Sequence, residues 1–131
     1  MKRLSPLILV AFVIGCAQVQ PGSDPVVVNA ERTTAVALAT MDTFLQIEWN
    51  NKALLLKVNP AIHTYAEYIR VNGQHYLQTA RTLTIAYKAS STTANATALN
   101  NAVALLNSIN TQAQTYINQA KAAAPTPTST P

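Results

Sequence analysis

The sequence predicts an all-α protein, an up-down-up antiparallel bundle of three long helices. Three observations carry that expectation. Apolar residues recur at three- and four-residue steps through three stretches of similar length. A proline or a polar break separates the stretches, and no run shows the period-two alternation of a half-buried strand. Similar lengths joined by short connections make antiparallel neighbours. The chain's 131 residues are enough for one domain and too few for two. Its composition is 49% hydrophobic and 11% charged, against roughly 25% charged in an ordinary soluble domain. Three glycines and seven prolines exclude collagen-like and Gly-rich low-complexity classes, and the single cysteine excludes a disulfide framework or a Cys-rich zinc module.

Ahead of the helices, Met1-Lys2-Arg3 is a short positive segment and Leu4 to Gly15 an almost unbroken apolar run. The run has 12 residues, short of the roughly 18 to 20 that a spanning helix needs, and suits a secretory signal. It closes on Val13-Ile14-Gly15-Cys16. That ending resembles the lipobox of bacterial lipoproteins, with a branched aliphatic residue three before the cysteine and Gly or Ala one before. The resemblance covers residues 1–16. It implies diacylglycerol on the Cys16 thiol, cleavage between Gly15 and Cys16, and in many bacteria acylation of the new amine. A thiolate is the nucleophile suited to a thioether-linked lipid. Without the resemblance, Cys16 is an incidental cysteine after an ordinary signal peptide. Two or three acyl chains, at ~0.8 kcal/mol per buried CH₂, hold a protein where one chain holds it only marginally. By the same resemblance, Ala17 is not the Asp that retains lipoproteins in the inner membrane, so the expected location is the cell envelope, at the periplasmic face of an outer membrane. Loss of Lys2 and Arg3 with the signal leaves seven basic residues against five acidic, scattered along the chain, which gives no argument for nucleic acid.

The expected organisation is a signal over 1–15, a lipidated Cys16 and tether over 16–24, a bundle over 25–123, and a Pro/Thr tail over 124–131. Asp24-Pro25 supplies an N-cap and a proline at the first helical position, opening a helix over about 25–57. Its apolar stripe is Ala37, Thr40, Phe44, Ile47, Asn51, Leu54 and Val58, widened by a second row of Leu38, Leu45, Trp49 and Leu56. Asn59-Pro60 repeats the start signal for a helix over 60–89, with Ile62, Tyr65, Ile69, Tyr76, Ala80, Leu83 and Tyr87 as its stripe. Asn72-Gly73 falls inside that helix without shifting its phase. It reads as a weak point costing about 1 kcal/mol against Ala, with two short helices around an Asn-Gly loop as the competing reading. After the polar break Ser90–Thr93, a third helix over 93–123 carries Leu99, Val103, Leu106, Asn110, Ala113, Ile117 and Ala120, reinforced by Leu105, Ile109 and Tyr116. Beyond it, Pro125–Pro131 suits an extended polyproline II conformation.

Candidate chemistry is sparse. His63 and Glu67 share a helix face and His75 lies twelve residues on, but the His-Glu-x-x-His spacing of a convincing zinc site is missing. The expectation is therefore no metal and no cofactor, with His63–Glu67 as a surface pair and Glu48 paired to Lys52 at i+4. No serine or threonine sits in a nucleophile elbow and no Gly-rich loop cradles phosphate, so no catalytic residue is assigned. Tyr65, Tyr76 and Tyr87 fall in the core stripe and can keep their hydroxyls wet; the sharper alternative is an aromatic groove for a partner helix, glycan or lipid. Candidate interface residues are Leu38, Leu45, Trp49 and Tyr68. From Ala89 to Pro131 the only charge is Lys121, leaving amides and hydroxyls to solvate the third helix or to contact a neutral polymer or a second copy. The expected function is a membrane-anchored envelope protein, held by lipid on Cys16, acting as a structural or protein-interaction module toward a protein partner or its own copies. Alternatives are a lipid- or small-ligand-binding bundle that yields at Asn72-Gly73, and a phage-encoded lipoprotein of superinfection exclusion or lysis.

Overall fold

The computed structural model describes residues 22–124, which form three helices: α1 (Pro25–Val58), α2 (Pro60–Ala89) and α3 (Thr93–Ala123). Among the described residues there is no strand, and each helix packs against the other two, giving the expected all-α three-helix bundle. The boundaries match the sequence expectation, with α1 one residue longer. The signal, Cys16, most of the tether and the tail from Pro125 onward lie outside the described residues.

The helix starts follow local chemistry, with one exception. Asp24 caps α1, its Oδ1 accepting from the Val26 N–H at 2.8 Å, and its Oδ2 accepts from the Tyr87 hydroxyl at 3.0 Å. Thr92 caps α3 by accepting from the Asn95 N–H at 3.2 Å. Asn59, expected as the cap of α2, makes no side-chain cap. Its Nδ2 instead donates to Gln119 Oε1 at 3.1 Å, while its backbone N–H closes the last turn of α1 on Leu55 O at 2.8 Å. Pro60 has no N–H to cap, and its fixed φ starts the helix without that help.

These contacts also set the polarity of the bundle. Tyr87 to Asp24, and Lys88 Nζ to Glu31 Oε1 at 2.6 Å, join the end of α2 to the start of α1. Asn59 to Gln119 joins the α1–α2 corner to the end of α3. The chain therefore enters at one end, beside the α2–α3 connection, and leaves at the other.

The core has two apolar clusters. The larger runs from Ala37, Met41 and Phe44 through Leu55, Ile62, Ile69 and Leu77 to Leu106, Ile117 and Ala120; the smaller, near the entry end, holds Ala30, Tyr87, Leu99 and Val103. Thr34 and Thr84 are buried as well, each hydroxyl donating at 2.8 Å to the carbonyl four residues back, so neither leaves an unpaired donor.

The stripe of α3 lies where the sequence puts it, apart from Asn110, which is only half-buried and has its Oδ1 shielded without a hydrogen-bond partner; of the residues expected to reinforce it, Ile109 is buried, Tyr116 half-buried and Leu105 exposed. The stripe of α1 departs first at Thr40, which is half-buried while its neighbour Met41 takes the core position, and again after Phe44. Met41, Phe44, Glu48 and Leu55 are buried, while Ile47, Asn51 and Leu54 are half-buried and Val58 is exposed. Apolarity alone steps around Glu48, because an unpaired carboxylate belongs in water, and the inferred stripe then slides off the true face.

Asn72-Gly73 does not divide α2, which is a single helix. Gly73 is buried, and a Cβ placed there would sit 3.1 Å from Met41 Sδ and 3.3 Å from Ile69 Cγ2. The absent side chain lets α1 and α2 approach closely. Gly73 marks a tight contact, so the two-helix alternative is overturned.

Candidate functional site

Glu48 is the most buried charged group among the described residues, with no exposed surface. It lies in the second half of α1, opposite the first half of α2. Its Oε1 accepts from His63 Nδ1 at 2.7 Å and its Oε2 accepts from Arg70 Nη2. Arg70 Nη1 donates in turn to Glu67 Oε1, and His63 Nε2 stands 3.9 Å from that same oxygen. Burial pushes the Glu48 carboxyl upward, but the hydrogen bonds from His63 and Arg70, with the adjacent guanidinium charge, together hold it below its ordinary value. The hydrogen bond to Glu48 also raises Arg70, overcoming its own partial desolvation. Both Glu48 oxygens are engaged by donors, so the carboxylate fastens α1 to α2 as a hydrogen-bonded ion pair.

This arrangement corrects two expectations. Lys52 is not the partner of Glu48; its Nζ lies over the Trp49 ring, 5.9 Å from the centroid. The i+4 rule saw only the local neighbour, whereas the actual partners lie 15 and 22 residues away on the next helix. His63–Glu67 is likewise the weaker contact of His63, whose Nδ1 turns inward to Glu48. His75 is exposed, stands against Tyr76 with ring centroids 5.9 Å apart, and lies about 18 Å along α2 from His63. Among the described residues no three His, Cys, Asp or Glu side chains converge to hold a metal ion.

A second feature runs along α2 and α3. Tyr65 stacks into a belt with Phe44, Tyr68 and Tyr116, with centroid separations of 5.6, 5.7 and 5.1 Å. Its hydroxyl donates to Ile109 O at 3.3 Å, and burial, aided by the neighbouring Tyr68 and Tyr116, pushes its pKa up to about 12. Tyr68 and Tyr76 lean together, their hydroxyl oxygens 2.9 Å apart, and that hydrogen bond raises the pKa of Tyr68. Beside Tyr76 an open groove of about 350 Å³ lies between the helices, lined by Tyr76, Thr79, Leu83, Ala98, Asn101, Ala102 and Leu105. No charged side chain lines it.

The four candidate interface residues separate. Trp49 is 69% exposed, Leu38 44% and Tyr68 39%, whereas Leu45 is half-buried and packs on the larger core cluster. Leu38, Trp49 and the exposed Leu56 recur at spacings of eleven and seven along α1 and form one apolar stripe. Tyr68 belongs instead to the aromatic belt that reaches α3 through Tyr65 and Tyr116. An aromatic groove was the alternative reading of the α2 tyrosines; of these only Tyr76 lines the groove, and its far wall, Ala98, Asn101, Ala102 and Leu105 of α3, was not foreseen.

No protein-family model, no curated protein and no solved structure matches the chain at a significant level.

Proposed function

We propose that this chain is a lipid-anchored protein of the cell envelope whose helical bundle works by contact and not by catalysis. The observation that carries the proposal is Val13-Ile14-Gly15-Cys16, closing a basic start and a short apolar run. The anchor is lipid on Cys16, and the membrane it serves is the outer membrane on its periplasmic side. Two features of the bundle support the proposal. Its buried carboxylate is saturated by structural donors, while Leu38, Trp49 and Leu56 stay exposed on a face that suits a protein partner or a second copy. The competing picture of a bundle that opens at Asn72-Gly73 around a lipid is disfavoured, because Gly73 is a tight contact with Met41.

Expression of the chain and of Cys16→Ser in a bacterium with an outer membrane tests this directly. Grown with labelled palmitate, the parent chain is expected to take up label and to leave the membrane fraction only in detergent, whereas Cys16→Ser takes up no label. Equal labelling of the two would contradict the proposal.

A further inference from the structure

We propose that the outer stripe of α1 pairs two copies of this chain, antiparallel about a two-fold axis at position 47. The stripe takes six positions, Leu38, Asp42, Leu45, Trp49, Lys52 and Leu56, in alternating steps of four and three. That is the a/d spacing of a helix seated against another helix, and here it runs about 27 Å along α1. Leu38, Asp42, Trp49 and Leu56 are exposed, while Leu45 and Lys52 are half-buried. The bundle's own core is filled from the neighbouring row of Ala37, Met41, Phe44, Glu48 and Leu55, so the outer stripe is left without a helix to face.

The order of residues within the stripe names its occupant. Leu38 and Leu56 lie nine positions to either side of position 47, Asp42 and Lys52 five, and Leu45 and Trp49 two. A second α1 laid head to tail therefore sets Leu38 against the copy's Leu56, Asp42 against its Lys52, and Leu45 against its Trp49. Two-fold symmetry repeats each layer. Asp42 and Lys52 are about 15 Å apart along their own helix, too far to pair within one chain. Among the described residues neither has an ion-pair partner, and Lys52 leans over the Trp49 ring. A parallel copy would oppose Asp42 to Asp42 and Lys52 to Lys52, which like charge disfavours. A wholly apolar partner helix would cover both charges without answering either. The antiparallel copy satisfies all six positions at once. This pairing rests on the contact reading of the bundle and names the partner, but it does not need the lipid. Its two entry ends lie at opposite poles, so both anchors reach one bilayer when the pair lies along it. Asn59 and Ser90 are then at similar depths, the opposite of a single upright bundle.

Light scattering of the full chain in detergent, with protein mass separated from detergent mass by absorbance and refractive index, tests the pairing. A concentration-dependent dimer is expected. Asp42→Lys and Lys52→Asp each oppose like charges in two layers and should each weaken the dimer by about tenfold or more, as should Trp49→Ala. Mixing the Asp42→Lys and Lys52→Asp chains should restore it, because each then meets the opposite charge in the other. The double variant, Asp42→Lys with Lys52→Asp, should dimerise by itself. Leu105→Lys, between α2 and α3, should leave the dimer unchanged, and circular dichroism of each variant checks that the bundle remains folded. Cys16→Ser should dimerise as the parent does, so a failure of anchoring and a failure of pairing are read separately. The proposal is overturned if the parent stays monomeric up to about 100 μM, if mixing the two charge variants restores nothing, or if Leu105→Lys dissociates a dimer that Asp42→Lys leaves intact.

Discussion

Glu48 is wholly buried, whereas the side chains of Arg70 and His63 keep 28% and 22% of their surface in water. That asymmetry predicts unequal costs. Arg70→Ala strips a buried carboxylate of its principal cation and should destabilise the bundle by about 3–5 kcal/mol. Glu48→Met replaces the charge with an apolar side chain of similar length and leaves Arg70 free to hydrate and to keep Glu67. Its stability should fall within about 1 kcal/mol of the parent or above it. Urea midpoints at constant slope separate the two outcomes. The cluster also has a pH signature. Because the folded pKa of Glu48 is depressed, its stabilisation is complete above the ordinary value of 4.5 and is lost as pH falls from there through the folded value. Acid unfolding followed by circular dichroism should therefore be shallower in Glu48→Met. Tyr65 acts at the other limit. With its folded pKa raised to about 12, its contribution is complete below 10 and is lost as pH rises through 12. In an ultraviolet titration, Tyr65→Phe should remove the latest part of the tyrosinate absorbance.

At the scale of the helix, Gly73 reverses its usual meaning. A glycine in a helix interior normally gains about 1 kcal/mol on replacement by Ala, but here the new methyl would press on Met41 and Ile69. Gly73→Ala should gain less than that in the parent chain and recover the gain when Met41 is also Ala, a coupling that a double-mutant cycle would read as about 0.5 kcal/mol or more. Additive effects would mean that the two helices are not in close contact there. The same residues show how far the sequence was legible. α3 could be read almost position by position, because it buries apolar side chains at helical spacing and little else. α1 was legible at Ala37 and Phe44, with Met41 missed for Thr40 between them, and not beyond, since its next buried position is a carboxylate whose partners are on another helix. The bounds of α2 were legible, but the reason for its glycine lay in the approach of α1. Asp24 and Asn59 both looked like caps before proline. Only Asp24 serves as one, because Asn59 finds a tertiary partner in Gln119. The aromatic belt was visible as tyrosines on one stripe. A groove beside it was foreseen only as an alternative and only from its α2 side, since its far wall comes from α3.

For the molecule as a whole, the up-down-up path places the chain's entry beside the α2–α3 connection, and the α1–α2 corner beside the end of α3. The thirty residues of α2 set those ends roughly 45 Å apart. Spin labels at Asn59 and Ser90 should report that separation, and labels at Asn59 and Gln119 a much shorter one. If the entry end is the anchored end and the bundle stands upright, the Ser90 label lies near the bilayer and the Asn59 label far from it. Equal depths would contradict the upright placement. The placement relative to the bilayer depends on the anchor itself. The most direct measurement is the mass of the N-terminal peptide of the protein purified from bacterial membranes. The peptide is expected to begin at Cys16 and to carry the added mass of a diacylglyceryl group, with or without a further acyl chain on its amine. A peptide that still contains Gly15, or that begins at Cys16 with a free thiol, would contradict it.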